Sequence, residues 1–407
     1  MNTISRQCPE LVMGVKNKAT LKACKDNADA VYFSLDRFSL RARATDITTE
    51  NLKPFVSQAK NYRLKCYLAI NSVVYPEDLQ ELDEVLDKVS GVDIDAVIAW
   101  DPAVIKKAAD RGMRVHISTQ ANVSNWESAE IYKSLGASRV ILSRELTLEQ
   151  IKQIRKNTDM ELEVFVHGAM CQAISGRCYL SSYLVGKSAN CGECSQPCRW
   201  QWTLHGENGE QIDLEGKYLL STKDLCMIEY IPELVDSGVD AFKVEGRLRN
   251  TSYINTVSKC YQEALNSYLN ATYTDQKVQF WKENLGQEYN RGFSTGFYFG
   301  TPGTEGLTPE SDMNISSIKR EAVGIITNYF PKQNAASVDL QEQGLDVGDD
   351  IIIEGATTYI EQKVESLVKN CESLSTVEKG QLVGISVKDK VRKNDRVYKF
   401  EKNDPIK

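Results

Sequence analysis

The residues best equipped for chemistry are thiols. Cys171, Cys178, Cys191, Cys194 and Cys198 crowd into the stretch from Glu163 to Trp200, and Cys226 follows in the phrase STKDLC. Ser, Gly and Asn stand between them, so the segment reads as a loop that leaves an apolar strand, EVFVH. Thiols gathered this way form disulfides, bind zinc or ligate an iron–sulfur cluster. No apolar run is long enough to span a bilayer, and MNTISRQCPE lacks a signal-peptide core. A cytoplasmic chain is therefore expected, and stable disulfides are rare there. Zinc favours paired C-x2-C hairpins, and only Cys191 and Cys194 supply one. The spacings Cys171-x6-Cys178 and Cys194-x3-Cys198, with Cys226 distant, suit a cluster wrapped by one long loop. A metal or cluster site is the better account. Cys8, Cys24, Cys66, Cys260 and Cys371 read instead as small buried hydrophobes.

Such a loop needs a frame, and the flanking pattern supplies one. Apolar strand candidates recur at 11–15, 30–34, 65–71, 96–100, 114–119, 139–143, 162–167 and 241–245. Amphipathic segments at 18–26, 49–61, 76–89, 102–111, 125–135, 148–155 and 225–236 lie between them, and Thr147-x-x-Gln150 has the form of a capping box. Continuous apolar strands alternating with helices predict a parallel sheet covered on its outer face. Eight units predict a closed or imperfectly closed (β/α)8 TIM-like barrel. An open doubly wound sheet is the fallback, although no G-x-G-x-x-G follows the first strand.

In a barrel the C-terminal strand ends carry the site. Arg41 and Arg43 follow the second strand, Asn71 the third, Asp101 the fourth, Gln120 the fifth, Arg144 and Glu145 the sixth, and His167 the seventh. Glu245 and Arg247 follow the eighth. Each alone is more simply a loop residue or a helix cap. Together they describe a mouth lined by guanidiniums, suited to an anionic small molecule. The cysteine loop leaves the same rim.

The barrel with its cysteine loop (about 168–226) is expected to occupy 1–270, a bridging segment 271–318, and a small antiparallel β-barrel domain 319–407. Within the bridge, Asn290-Arg291-Gly292-Phe293 either closes over the mouth or packs as an aromatic cluster on the barrel flank. The C-terminal strands alternate apolar and polar residues between Gly, Asn and Asp turns. Their last stretch, KDKVRKNDRVYKFEK, mixes basic and aromatic residues, as an RNA-facing edge or a guarded edge strand would. A net charge of -7 argues against a protein that coats nucleic acid nonspecifically, while leaving room for a local basic patch.

Several phrases together resemble the collagenase-like peptidase family: FVHGAMC with Cys178, Cys194-x3-Cys198-Arg-Trp, KDLC, KVEGR and NRGFSTG. LRAR, STQ and SRE are similar too, and the likeness runs from the first strand to the C-terminal domain. One departure is ELVMGVK at 10–16, where many members read E-L-L-A-P-A-G. The resemblance implies hydroxylases that work without free oxygen. One group forms 5-hydroxyuridine at the tRNA wobble position with prephenate as co-substrate; others act on a cytidine of large-subunit rRNA or in ubiquinone synthesis. The length and C-terminal domain favour the tRNA group. The resemblance further implies a 4Fe-4S cluster held by Cys171, Cys178, Cys194, Cys198 and Cys226, one thiol more than a cubane needs.

Under this implication His167 and Glu245 handle protons, while Arg41, Arg43, Gln120, Arg144, Arg177 and Arg247 hold substrate. Partners would be tRNA, a small dicarboxylate, and an electron donor or partner protein of the same family, with no membrane. A peptidase is the second hypothesis, with His167 four residues before Cys171 as its only dyad. H-E-x-x-H and G-x-S-x-G are both absent, and the chain has only three histidines. A non-catalytic RNA-binding protein or scaffold with a structural metal is the third.

Overall fold

The computed structural model describes residues 8–40, 46–212, 217–308, 314–316, 318–370 and 372–402; Arg41 and Arg43 lie outside them. By its internal contacts the chain divides into two units. One joins Met1–Lys16 to Cys24–Ile315, and the other joins Asn17–Ala23 to Ser316–Lys407.

The first unit is a closed barrel of eight parallel strands. In chain order these begin with β1 Glu10–Gly14, β2 Ala30–Ser34, β3 Lys65–Ala69, β4 Ala96–Ala99, β5 Val115–Ile117, β6 Ala137–Ile141 and β7 Glu161–Gly168. Two-residue strands β8 Leu204–His205 and β9 Gln211–Ile212 follow in the cysteine loop, then β10 Asp224–Cys226. The eighth barrel strand, β11 Ala241–Val244, pairs with both β1 and β7 and closes the ring. Strands β1 and β2 are buried at every position, as their unbroken apolar runs require.

The helices that cover the barrel bury one stripe each. In Leu79–Ser90 the stripe is Leu82, Val85, Leu86 and Val89, one helical face. Thr147 begins the helix Leu148–Asn157 with the capping box its sequence predicts. Asp101 caps Pro102–Asp110 by accepting from Ala103 N at 2.8 Å, so it serves as a helix cap at the end of its strand.

Two expectations are corrected. The segment 225–236 is not one helix, because Asp224–Cys226 is strand β10 and only Ile231–Asp236 is α-helical. Beyond the pair that closes the barrel, the free edge of β7 captures Leu225 and Cys226, opposite Gly168 and His167. The bridging segment also holds a helix, Asp275–Gln287, capped by Thr274 and buried through Val278, Trp281 and Leu285. After it, β12 Phe293–Ser294 pairs parallel to β10.

The barrel interior is ionic as well as apolar. Arg139 on β6 contacts Glu10 at 2.9 Å, Glu163 at 3.0 Å and Glu161 at 2.8 Å, and Lys243 on β11 reaches Glu163 at 2.6 Å. Tyr67 donates to Glu10 at 2.6 Å. Buried charges persist only when paired, and removing one partner costs about 3–5 kcal/mol. The network therefore fixes the height and direction of Lys243 under the barrel mouth.

The C-terminal unit contains an eight-stranded antiparallel sheet. It encloses its own apolar core, including Val323, Ile326, Val338, Ile351, Val383 and Val397. Among the described residues no helix is long and apolar enough to cross a membrane.

Candidate active site

The strand ends of the barrel and the cysteine loop together enclose a cavity of about 300 Å3. Its walls carry Cys171, Cys178, Cys194 and Cys198, the cations Arg144, Arg199, Lys243, Arg247 and Arg291, and the acids Glu145 and Glu245. Five cations against two carboxylates make this a positive cavity in a chain of net charge -7.

The rim polar residues hold the loop in place. Gln120 donates from Nε2 to the Ser175 carbonyl at 3.3 Å, and Glu145 accepts from Ser175 N at 3.0 Å. The Ser175 hydroxyl donates to Asn122 Oδ1 at 2.9 Å. Asn71 supports Gln120 from beneath, donating to its Oε1 at 3.2 Å. Gln120 therefore lines the cavity while donating from its amide nitrogen to the loop.

Arg144 donates to the Ala169 carbonyl at 2.9 Å and lies over the Phe165 ring at 3.8 Å. Arg247 is 5% exposed, donates to Ser39 Oγ at 3.4 Å and sits 5.1 Å over the Tyr32 ring. Its Nε is buried without a hydrogen-bond partner, 3.9 Å from Glu245 Oε1. Glu245 accepts from the Tyr32 hydroxyl at 3.2 Å. Lys243 lies 4.0 Å over the same Tyr32 ring, and burial pushes its ammonium below the ordinary lysine range. Glu245, Arg247, Lys243 and Tyr32 thus form one cluster at the end of β11.

The closing strands leave little room there. Gly168 has φ +111°, and a Cβ on it would meet the Glu245 carbonyl oxygen at 2.9 Å. Gly14 and Gly246 also abut, a Cβ on Gly14 lying 2.8 Å from Gly246 N. Within the departing phrase ELVMGVK, Gly14 is what allows β1 to meet the turn after β11.

The four cavity thiols are neighbours. Burial, and then the proximity of Cys171, Cys194 and Cys178, raise the Cys198 thiol, while Arg199 opposes the shift. Backbone N–H groups point at two of the sulfurs: Leu180 N to Cys178 Sγ at 3.3 Å and Gln196 N to Cys194 Sγ at 3.4 Å. Among the described residues no three His, Cys, Asp or Glu side chains converge as the ligands of one metal ion would. Four thiols on one cavity wall are nonetheless a donor set of the kind that iron–sulfur clusters use.

Cys191 turns instead to the Tyr75 hydroxyl, 3.9 Å away. Cys226 does not line the cavity. It is buried on β10 opposite His167, with the Tyr261 hydroxyl 4.0 Å from its sulfur, and burial pushes its thiol up to about 11.

His167 is also absent from the cavity wall. Its Nδ1 lies 3.3 Å from the Tyr261 hydroxyl, and its ring packs among Tyr253, Tyr261 and Phe293. Burial, with a smaller push from Arg249, lowers its pKa to about 3. Arg177 is exposed, its guanidinium 5.8 Å from the Trp100 ring.

Sequence reasoning gave no role to Arg199 or Lys243, and named Arg291 only within the phrase NRGF. Arg199 sits buried behind Cys198, donating to Met170 O and Thr222 Oγ1 at 3.0 Å, to Ser221 Oγ at 2.9 Å and to Thr222 O. It ties the loop to the segment entering β10. Arg291 faces buried Asp224 at 3.7 Å, and Arg249 binds the other oxygen of Asp224 at 3.2 Å. The phrase NRGF thus does both things its sequence allows. Arg291 lines the cavity, and Phe293 packs in the aromatic cluster around His167.

Residues 16–308 match the family model described as Peptidase family U32. Over 400 residues the chain is 44% identical to an uncharacterized protease of Methanocaldococcus jannaschii, covering 96% of this chain and 97% of that one. It is 37% identical over 403 residues to a collagenase of Porphyromonas gingivalis, covering 95% and 96%. It is 32% identical over 343 residues to a tRNA hydroxylation protein of Bacillus subtilis, covering 82% and 80%.

Proposed function

The chain belongs to peptidase family U32, and from that premise we propose that it is an RNA-modifying hydroxylase, forming 5-hydroxyuridine at the tRNA wobble position with prephenate as co-substrate. The observation that carries this reading is the convergence of four thiols on a cavity lined by five cations. A relative covered over most of its length is named a tRNA hydroxylation protein, which supports RNA as the substrate and the cytoplasm as the place of work.

Cys171, Cys178, Cys194 and Cys198 would hold a 4Fe-4S cluster, which supplies an electron-transfer or Lewis-acid centre that side chains lack. Around it, Arg144, Arg247 and Lys243 would hold the carboxylates of the small molecule. Glu245 would accept or return a proton at a carboxylate oxygen already hydrogen-bonded by Tyr32. Arg291 would complete the positive wall, steadied by Asp224.

A cysteine peptidase needs an imidazole beside its thiol. His167 is packed among aromatic rings, His116 is buried on β5 and His205 is exposed on the excursion 204–212, and none lines the cavity with the cysteines. This favours hydroxylation over proteolysis. Mass spectrometry of tRNA from a strain lacking the gene tests the reading: the wobble-uridine hydroxyl is expected to disappear. Unchanged tRNA modification in that strain would rule the assignment out.

A further inference from the structure

The helix inside the cysteine loop, Leu180–Val185, and Tyr179 at its N-cap turn two aromatic rings outward. Tyr179 is 70% exposed and Tyr183 87%, with Ile174, Leu184 and Val185 exposed around them. A tyrosine ring in water gives up most of its favourable burial, so two on one short helix call for a partner. The helix is anchored. Leu180 and Ser181 line the cavity, Ser181 Oγ accepts from Ser195 N at 3.1 Å, and Leu180 N points at Cys178 Sγ. Tyr183 N donates to the Tyr179 carbonyl at 3.0 Å, and the two rings stand 6.5 Å apart at 68°. The pair is thus a fixed surface beside the mouth.

Charge tells which partner fits. From Ala169 to Gly192 the loop has no Asp or Glu, exposed Glu193 being its first acid, and it carries Arg177 and Lys187, both exposed, in a chain of net charge -7. Aromatic faces flanked by cations are how single-stranded nucleic acid is held: rings stack on bases and cations meet phosphates. Cys178, Leu180 and Ser181 line the cavity while Tyr179 between them faces outward, so a base on this ring would adjoin a nucleotide that enters. We infer that Tyr179 and Tyr183 form a stacking platform for an unpaired base adjoining the nucleotide that reaches the cavity. This rests on the reading of the chain as an RNA-modifying enzyme and adds the surface that would select unpaired over paired RNA.

The test is fluorescence anisotropy with a labelled RNA hairpin bearing a uridine loop, titrated with the full chain at several salt concentrations. Tyr179→Ala and Tyr183→Ala are each expected to bind about 5- to 150-fold more weakly, the range for losing one base–aromatic stack. Tyr183→Phe and Tyr183→Trp keep a π face and should stay near wild type. The salt slope should not change in the tyrosine variants, whereas Arg177→Ala should lower it by about 0.7 for a lost phosphate contact. A fully paired RNA duplex should not distinguish Tyr183→Ala from wild type. Wild-type affinity for the hairpin in both alanine variants would overturn the platform, including the case where they instead lose a co-purifying protein. Failure of the wild-type chain itself to bind the hairpin would sink the RNA-modifying reading, so the two failures are distinguishable.

Discussion

At the scale of single residues, Arg247 carries the sharpest consequence. A guanidinium that is 5% exposed, with Glu245 Oε1 3.9 Å away and a buried Nε lacking a hydrogen bond, has donor capacity left for a second carboxylate. Arg247→Ala should weaken prephenate binding by about 2–5 kcal/mol in calorimetric titration, the range for breaking a desolvated charge pair. Arg144→Lys should recover only part of the loss seen in Arg144→Ala, because the fork is gone while the charge stays. Equal affinities in wild type and Arg247→Ala would remove that residue from the site. His167 leads to a prediction of another kind. Burial holds its folded pKa at about 3, so the unfolded chain takes up the proton first as pH falls below 6.5. Its contribution to stability is complete above pH 6.5 and is lost towards pH 3, at about 1.4 kcal/mol per pH unit. Denaturant unfolding between pH 6.5 and 4.5 should therefore fall less steeply in His167→Gln than in wild type. A limb near pH 6.5 in the activity profile that vanishes in this variant would return His167 to the chemistry. The rim residues Arg144, Glu245 and Arg247 were legible in sequence because a strand's last residue has a known place in a barrel. Lys243 was not, since a lysine inside an apolar strand gives no hint that Glu163 awaits it on the neighbouring strand β7.

At the scale of elements, the closing pair β7 and β11 decides which thiols meet. β7 pairs with β11 through Glu163–His167 and with β10 through His167 and Gly168, so Cys226 is drawn into the core. Cys171→Ala and Cys178→Ala should lose bound iron after anaerobic purification and reconstitution, and Cys226→Ala should keep it. Full iron in the first two, or loss in the third, would redraw the ligand set. Gly168→Ala should cost about 1–3 kcal/mol in thermal or denaturant unfolding, since both φ +111° and the Glu245 carbonyl oppose a side chain. The barrel strands were readable as apolar runs and most of the helices as amphipathic stripes. Strand β10 was not, because DLC is too short to show a period and its pairing with β7 depends on a chain reversal some fifty residues long. The four-thiol grouping was likewise hidden. The family resemblance nominates five cysteines, and only the path of the chain after Trp200 separates one from the rest.

For the whole molecule, a net charge of -7 means that RNA affinity has to come from local patches, because the overall field repels a polyanion. The C-terminal unit offers one. Lys388, Lys390, Arg392, Lys393 and Arg396 are exposed, while Val391 between them and Val397 after them are buried in that unit's core. The alternation follows from strand and turn geometry. The last strand, Arg396–Lys402, is paired on both sides, so these cations do not guard the free edge that the sequence suggested, but exposure alone does not show that they meet RNA. Salt dependence does. Each phosphate neutralised by a cation releases counterions and contributes about 0.7 to the slope of log affinity against log salt for single strands, or about 0.9 for duplex. Replacing Lys388, Lys390 and Lys393 together by Gln should lower that slope by about 2 for a tRNA ligand and weaken binding most at low salt. Iron content and prephenate affinity should not change, because none of the three lines the cavity. The C-terminal core is untouched by these surface exchanges, so the triple variant should melt with wild type. An unchanged slope would leave this sheet a structural role and place all the phosphate contacts on the barrel unit.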